Sequence, residues 1–176
     1  MQFTETPLAG AYVIDLDPIV DHRGFFARAW AADEFTERDL DPTIAQMNMS
    51  ESLLAGTFRG FHWQEPPFGE TKTVRCIAGS VFNAIIDMRP ASPTYRQWFG
   101  TELSAENLRM LYVPEQFANG FLILEDNTRL LYNVSRPHEA GNENGIRWDD
   151  PVIDVDWPAA VVHVSDKDQG WPTLAT

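Results

Sequence analysis

Hydrophobic positions come in runs of about four to eight residues, separated by Gly, Pro, Asn and Asp, the signature of many short strands. Such runs are "GAYVIDLDPI", "DHRGFFARAW", "TIAQMNMSES", "GTFRGFHWQ", "TKTVRCIAGSVFNAIIDMR", "RQWFGTELSA", "RMLYVPEQFANGFLILED" and "TRLLYNVSR". Asp21-His22-Arg23-Gly24 reads as a turn, and "IAGSV" and "LEDNTR" read as hairpin connections. Pro114 and Pro151 belong at edges, bends or strand starts. Only "AADEFTERDL" has helical character, with Asp33 and Glu34 near its start and Asp41-Pro42 to stop it. The pattern predicts an all-β sandwich or barrel in a single domain over 1–176, with no repeat, low-complexity tract or linker.

Period two fixes which side chains can meet. In "RGFHWQ", Gly60, His62 and Gln64 share one face of a regular strand, and Arg59, Phe61 and Trp63 share the other. Arg59 and His62 can enter one pocket only if a bulge falls at Gly60 or the strand starts after it. In "KTVRCIAG", Lys72, Val74 and Cys76 share a face opposite Thr73 and Arg75. Facing inward, Lys72 is a partly desolvated ammonium that needs an anionic partner or ligand; facing outward, it is an ordinary surface lysine.

Charge narrows the partners. Thirteen basic residues against 26 acidic ones leave a formal charge of −13, which repels nucleic-acid backbones and anionic lipid, so an anionic small molecule requires a local basic pocket. Residues 149–168 carry six aspartates and one lysine and read first as a solvated face. The one cysteine, Cys76, lies in the apolar setting "VRCIAG" and reads as a buried thiol. No C-x-x-C pair or H-E-x-x-H run suggests a metal site. The N-terminus lacks a signal-peptide pattern and there is no 18-residue apolar run, so a cytoplasmic protein is expected.

The residues able to do proton chemistry are scattered. Histidines occur at 22, 62, 138 and 163, and His62 sits between bulky aromatics in a strand-like position. A carboxylate behind such a histidine holds its tautomer and favours its charged form. Tyr132 reads as a hydrogen-bonded core tyrosine or a proton donor, and Asp168 in "SDKDQG" as a loop cap or turn residue.

What joins them is the succession "DHRGFFARAW", "QMNMS", "FRGFHWQ", "KTVRCIAGSVFNAIIDMR", "SPTYRQWFGTELSAEN", "LYVPEQFANGFLILED", "LLYNVS", "GIRWDDPVIDVDWP" and "VSDKD". In this order and spacing, over about residues 3 to 170, the chain resembles the dTDP-4-dehydrorhamnose 3,5-epimerase family. The resemblance implies a double-stranded β-helix, or cupin-like jelly roll, with short peripheral helices. It also implies a homodimer formed through exchanged or packed edge strands, no metal and no cofactor, and a 4-keto-6-deoxyhexose on a thymidine diphosphate as substrate. By motif position it implies that His62 is the proton-abstracting base, Asp168 the carboxylate behind it, Tyr132 the acid on the opposite face, and Lys72 the group near the keto oxygen. Arg59 and Arg23 match diphosphate ligands, and Gln46 and Asn48 polar residues around the nucleotide.

Some positions leave the family pattern. Asn119 stands in "QFANGF" where relatives place a histidine, and Asn83 in "VFNAIID" where they place its aspartate. Two amides can bond each other without charge, so the paired replacement reads as a changed site within an intact fold. His138 replaces a second pocket tyrosine, Arg28 the glutamate of a Phe-Phe-x-Glu pattern, and Met49 a histidine. The expected function is therefore epimerisation of a nucleotide-linked 4-keto-6-deoxyhexose. The alternatives are a related isomerase or single-centre epimerase on a different sugar nucleotide, or a non-catalytic sugar-nucleotide-binding paralogue.

Overall fold

The computed structural model describes residues 1–174 of the chain. In chain order the elements are β1 (Gln2–Glu5), β2 (Tyr12–Asp15), β3 (Ile19–Asp21), β4 (Gly24–Phe26), α1 (Ala32–Thr36), β5 (Gln46–Ser52), β6 (Thr57–Gln64), β7 (Lys72–Ala78) and β8 (Ser80–Asp87). There follow β9 (Trp98–Ser104), β10 (Met110–Val113), β11 (Phe117–Ile123), β12 (Thr128–Val134), β13 (Glu143–Gly145), β14 (His163–Val164) and α2 (Asp166–Gln169). Every apolar run picked out above holds a strand, because alternating β-branched and aromatic residues suit a half-buried pleated surface.

The strands form two large sheets and a hairpin. One sheet runs β1-β2-β10-β7-β12-β5; the second runs β13-β6-β11-β8-β9, with β14 added alongside β6; β3 and β4 form the hairpin, turning through His22-Arg23. Pairing is antiparallel except for β14 with β6. Both large sheets are open, ending in strands that do not pair with each other, among the described residues. This corrects the fold expected from the resemblance: no closed barrel is formed, and the cupin-like jelly roll is not the architecture found.

Two of the connections explain how the sheets come to face one another. β7 and β8 do not pair although only Gly79 separates them, and β11 and β12 do not pair across "LEDN". Both links carry the chain from one sheet to the other, so neither is the hairpin expected from its turn residues. Gly79 turns this corner at a φ of +70°, and a Cβ there would lie 2.2 Å from Thr128 Oγ1. Side-chain size and a left-handed backbone both demand glycine here.

The core between the sheets draws Val13, Val74, Cys76, Leu111 and Leu130 from the first and Val81, Ile85, Leu103, Phe117 and Ile123 from the second. Cys76 is buried, as its apolar neighbours suggested. The outer side of the second sheet is covered in turn: Phe58, Phe61, Trp63, Ala84 and Ile86 pack with Ile146, Ile153, Trp148 and Trp157 of the C-terminal segment. Cover on both faces explains why "VFNAIID" is an almost continuous apolar run. It also amends the reading of residues 149–168. Four of the six aspartates are exposed, but Asp150 and Asp168 are buried.

α1 lies inside the predicted helical stretch, with Asp33 and Glu34 in its first turn. It stops before Asp41-Pro42, where Asp39 turns left-handed at a φ of 57° and the Leu40 N–H closes back on the Phe35 carbonyl at 3.1 Å. α2 was not expected. Ser165 caps it by accepting a hydrogen bond from the Asp168 backbone N–H, which places Asp168 inside a helical turn. Among the described residues no helix is long and apolar enough to cross a membrane.

Candidate active site

His62 reaches a cavity of about 660 Å³ that is lined from both sheets: Arg59 and His62 from β6, Asn119 from β11, Lys72 and Val74 from β7, Tyr132 from β12 and Asp168 from α2. Strand alternation alone would have separated Arg59 from His62. The register of β6 against β11 slips between them, from Asn119↔His62 to Phe121↔Arg59, so that Gly60 and Phe61 of β6 stand against Gly120 alone of β11. The extra residue is a bulge at Gly60-Phe61, and it returns Arg59 to the side of His62. Gly60 permits it. Its φ is +130°, and a Cβ would sit 2.5 Å from the Gly120 Cα.

His62 Nε2 lies 2.6 Å from Asp168 Oδ1, across 106 residues of sequence. The Gly60 N–H also donates to Asp168 Oδ2, at 3.4 Å. Burial works to raise the Asp168 carboxyl, but the bonds from His62, Gly60 and Ser165, with the charge of His62, outweigh it and hold the group below the usual carboxylate range. Ionised Asp168 accepts from Nε2, which leaves Nδ1 as the ring nitrogen not bound to that carboxylate.

On the facing sheet, Tyr132 pairs with Val74, and Val134 with Lys72, so Tyr132 and Lys72 share the inner face. Burial pushes the Tyr132 phenol up, against an opposing pull from the Arg59 charge, so it is protonated at neutral pH. Lys72 is inward, its side chain 15 % exposed, and its anionic partner is Glu70, 3.0 Å away. Glu70 in turn accepts a hydrogen bond from Gln64. Arg59 is steadied by Ser52 Oγ at 3.0 Å and the Glu51 carbonyl at 3.2 Å.

A neighbouring cavity of about 390 Å³ shares His62, Lys72 and Tyr132 and adds Gln46, Asn48, Arg136, His138 and Glu143. His138 therefore faces a cavity wall. Arg23 and Arg28 do not line either cavity. Arg23 stands on the β3–β4 turn, its side chain 77 % exposed, held by Asp21 at 2.5 Å. Met49 points outward on the edge strand β5, 68 % exposed.

The two amides meet as expected: Asn83 Nδ2 donates to Asn119 Oδ1 at 2.8 Å, with Asn83 fully buried and Asn119 at the cavity wall. Their environment is less fully satisfied than the pattern suggested, because Asn83 Oδ1 is buried with no partner. Sequence patterns missed Glu70, Glu143 and Lys167. Nothing in "GNENG" marks Glu143, whose place beside His62 comes from the pairing of β13 with β6.

A histidine backed by a buried carboxylate, with a protonated phenol and an ammonium on the opposite wall of one cavity, is the equipment of an acid–base enzyme that moves protons. The comparisons agree on one kind. The family profile described as dTDP-4-dehydrorhamnose 3,5-epimerase matches residues 5–176. The dTDP-4-dehydrorhamnose 3,5-epimerase of Sinorhizobium fredii is 38% identical over 175 residues, spanning 99% of this chain and 90% of its own. A dTDP-4-dehydrorhamnose 3-epimerase of Streptomyces niveus is 34% identical, spanning 99% and 84%. The crystal structure of the 3,5-epimerase of Bacillus anthracis, with TDP and PPi bound, superposes with a TM-score of 0.95 at 35% identity, covering 98% of this chain and 99% of that one. The chain belongs to the dTDP-4-dehydrorhamnose 3,5-epimerase family.

Proposed function

We propose that this protein epimerises a dTDP-linked 4-keto-6-deoxyhexose with His62 as base, Tyr132 as acid, Lys72 as oxyanion partner and Asp168 as the carboxylate that orients the base. The epimerase activity on such a substrate follows from family membership. The assignment of roles rests on the 2.6 Å contact between His62 Nε2 and Asp168 inside a cavity faced by Tyr132 and Lys72. A hydrogen on carbon beside the C4 ketone is acidic because its loss leaves an enolate. His62 Nδ1 takes that proton, the bonding electrons pass to the ketone oxygen, and Lys72 donates to the developing charge. Tyr132 then protonates the carbon from the opposite face, which inverts the centre. The substrate's own carbonyl is the electron sink, so the chemistry calls for no cofactor.

Arg59 supplies positive charge for the diphosphate within the cavity, and Lys167 of α2 lies on the same wall. Gln46 and Asn48 line the second cavity beside His138, which supports their assignment to the nucleotide. Arg23 lines neither cavity of its own chain, and a homodimer gives it a role. The β3–β4 hairpin exposes Ile19, Val20, Phe25 and Phe26 at 58–72%, and β5 exposes Met47 and Met49, an apolar surface that a second copy would cover. Arg23 and Arg28 would then act at the partner's cavity.

The test is solvent-deuterium incorporation into the 4-keto sugar nucleotide. His62→Ala is expected to lower exchange by at least about 10²-fold, and exchange surviving within about tenfold removes His62 as base. Tyr132→Phe should retain exchange better than inversion. A second reading, epimerisation at a single centre, is favoured by the Asn83–Asn119 bond, since neither amide takes a proton near neutrality. Rapid and equal exchange at C3 and C5 in the NMR spectrum would end it.

A further inference from the structure

His62 has a second carboxylate beside it. The pairing of Gly145 with His62 and Asn144 with Trp63 carries Glu143 alongside β6, and Glu143 Oε1 lies 3.6 Å from His62 Nδ1. That is too long for a hydrogen bond, but a small side-chain rotation or one bridging water closes it. The other oxygen of Glu143 is bound to Lys167. Glu143 lines the second cavity and its side chain is 22 % exposed, so it reaches both the base and the solvent side.

Inversion by two unlike groups has a consequence that does not depend on the substrate. After each turnover His62 holds a proton taken from carbon and Tyr132 lacks one, so the protein is in the wrong state to repeat the reaction. His62 must shed its proton first. Nε2 is committed to Asp168, so the abstracted proton sits on Nδ1, the nitrogen that faces Glu143. While substrate is bound its carbon occupies the approach to Nδ1; once product leaves, Glu143 is the one carboxylate within 4.0 Å of Nδ1 among the described residues.

We propose that Glu143 is the proton outlet of His62, taking the proton from Nδ1 after product release and passing it to solvent. The proton moves from the imidazolium to Glu143 Oε1, leaving neutral imidazole, and then from the carboxylic acid to water or buffer, restoring the carboxylate. No carbon bond and no electron transfer is involved. The surroundings favour departure of positive charge. Lys72 of β7, Arg59 of β6, Lys167 of α2 and Arg136 line the cavities with His62, together with Tyr132 of β12, Glu70 beside Lys72, Asp168, His138 and His163 of β14. Burial works to raise the Glu143 carboxyl, but the bond from Lys167 and the charges of His62, Lys167 and His138 hold it below the ordinary range, so it is ionised and a proton it takes up is readily released to solvent.

The proposal rests on His62 being the base, and the test separates the two. Glu143→Gln is compared with the unaltered protein in a single turnover with enzyme in excess, and in steady state in dilute and concentrated imidazole or formate buffer. The expected result is a single-turnover rate within about threefold, a kcat lowered about tenfold in dilute buffer, and recovery of kcat as buffer concentration rises. Glu143→Asp should keep most of kcat. Lys167→Met breaks the same ion pair but keeps the carboxylate, so any loss it causes should not respond to buffer. Equal losses in single and multiple turnovers with no buffer response, or no loss at all in Glu143→Gln, would overturn the outlet while leaving the base assignment standing. Solvent exchange persisting in His62→Ala would overturn both.

Discussion

At Gly60 a missing side chain decides which other side chains can meet. Arg59 and His62 share a cavity because β6 bulges there, and a methyl group would stand 2.5 Å from the Gly120 Cα and 2.8 Å from the Asn119 carbonyl oxygen. These are backbone atoms of the adjacent strand, which cannot swing aside as a flexible side chain would. Gly60→Ala is therefore expected to cost about 2–3 kcal/mol in a urea denaturation curve. Activity should fall by more than the fraction unfolded explains, since the displaced strand carries the base. The need for a bulge was legible in the alternation of "RGFHWQ", because the two residues fall on opposite faces of a regular strand. Its presence was not, because it depends on how β11 registers against β6. The Asn83–Asn119 bond was legible in kind but not in full, since the unpartnered Asn83 oxygen depends on what surrounds it.

Among the elements, the link from β8 to β9 is organised by one carboxylate at the end of β8. Asp87 is fully buried and accepts from Arg89 Nε at 2.9 Å, Ser92 Oγ at 2.5 Å and Thr94 Oγ1 at 2.6 Å. Burial alone would raise its pKa, but these bonds overcome it and lower the group from 3.8 to about 2. The native carboxylate binds a proton less readily than the unfolded one, so the stabilisation is present above pH 3.8 and is lost as pH falls toward about 2. Asp87→Asn should cost about 2 kcal/mol at neutral pH and flatten the fall in stability between those pH values, measured by denaturant midpoints in a pH series. Strand positions were legible because each strand's burial pattern is local. The corners at Gly79 and at "LEDN" were not, because the same turn residues serve a hairpin and a crossing between sheets.

For the whole molecule, the formal charge of −13 and the cationic cavity are compatible because the cavity's cations are gathered locally. Arg59, Lys72 and Lys167 line one cavity, while the aspartates of the C-terminal segment are mostly on its exposed side. The apolar hairpin is the counterpart at the surface. In the proposed homodimer, Phe26→Asp together with Met49→Asp should convert a two-chain species to a one-chain species in sedimentation analysis, with loss of substrate affinity if Arg23 acts on the partner. A two-chain species that survives both changes would exclude this surface as the contact.

The amino-acid sequence by itself determined where the long strands form, though not the short β1, β13 and β14, that Lys72, Val74 and Cys76 share a face, and which family the residue order resembles, since these follow from local alternation and motif spacing. The tertiary structure alone decided that the sheets stay open and that Glu143 stands at the other side of the His62 ring, and it supplied the contact between Asp168 of α2 and His62 that motif position only implied. Each of these is a contact between segments far apart in the chain, set by register and packing, and no local pattern of side chains encodes the distance between them.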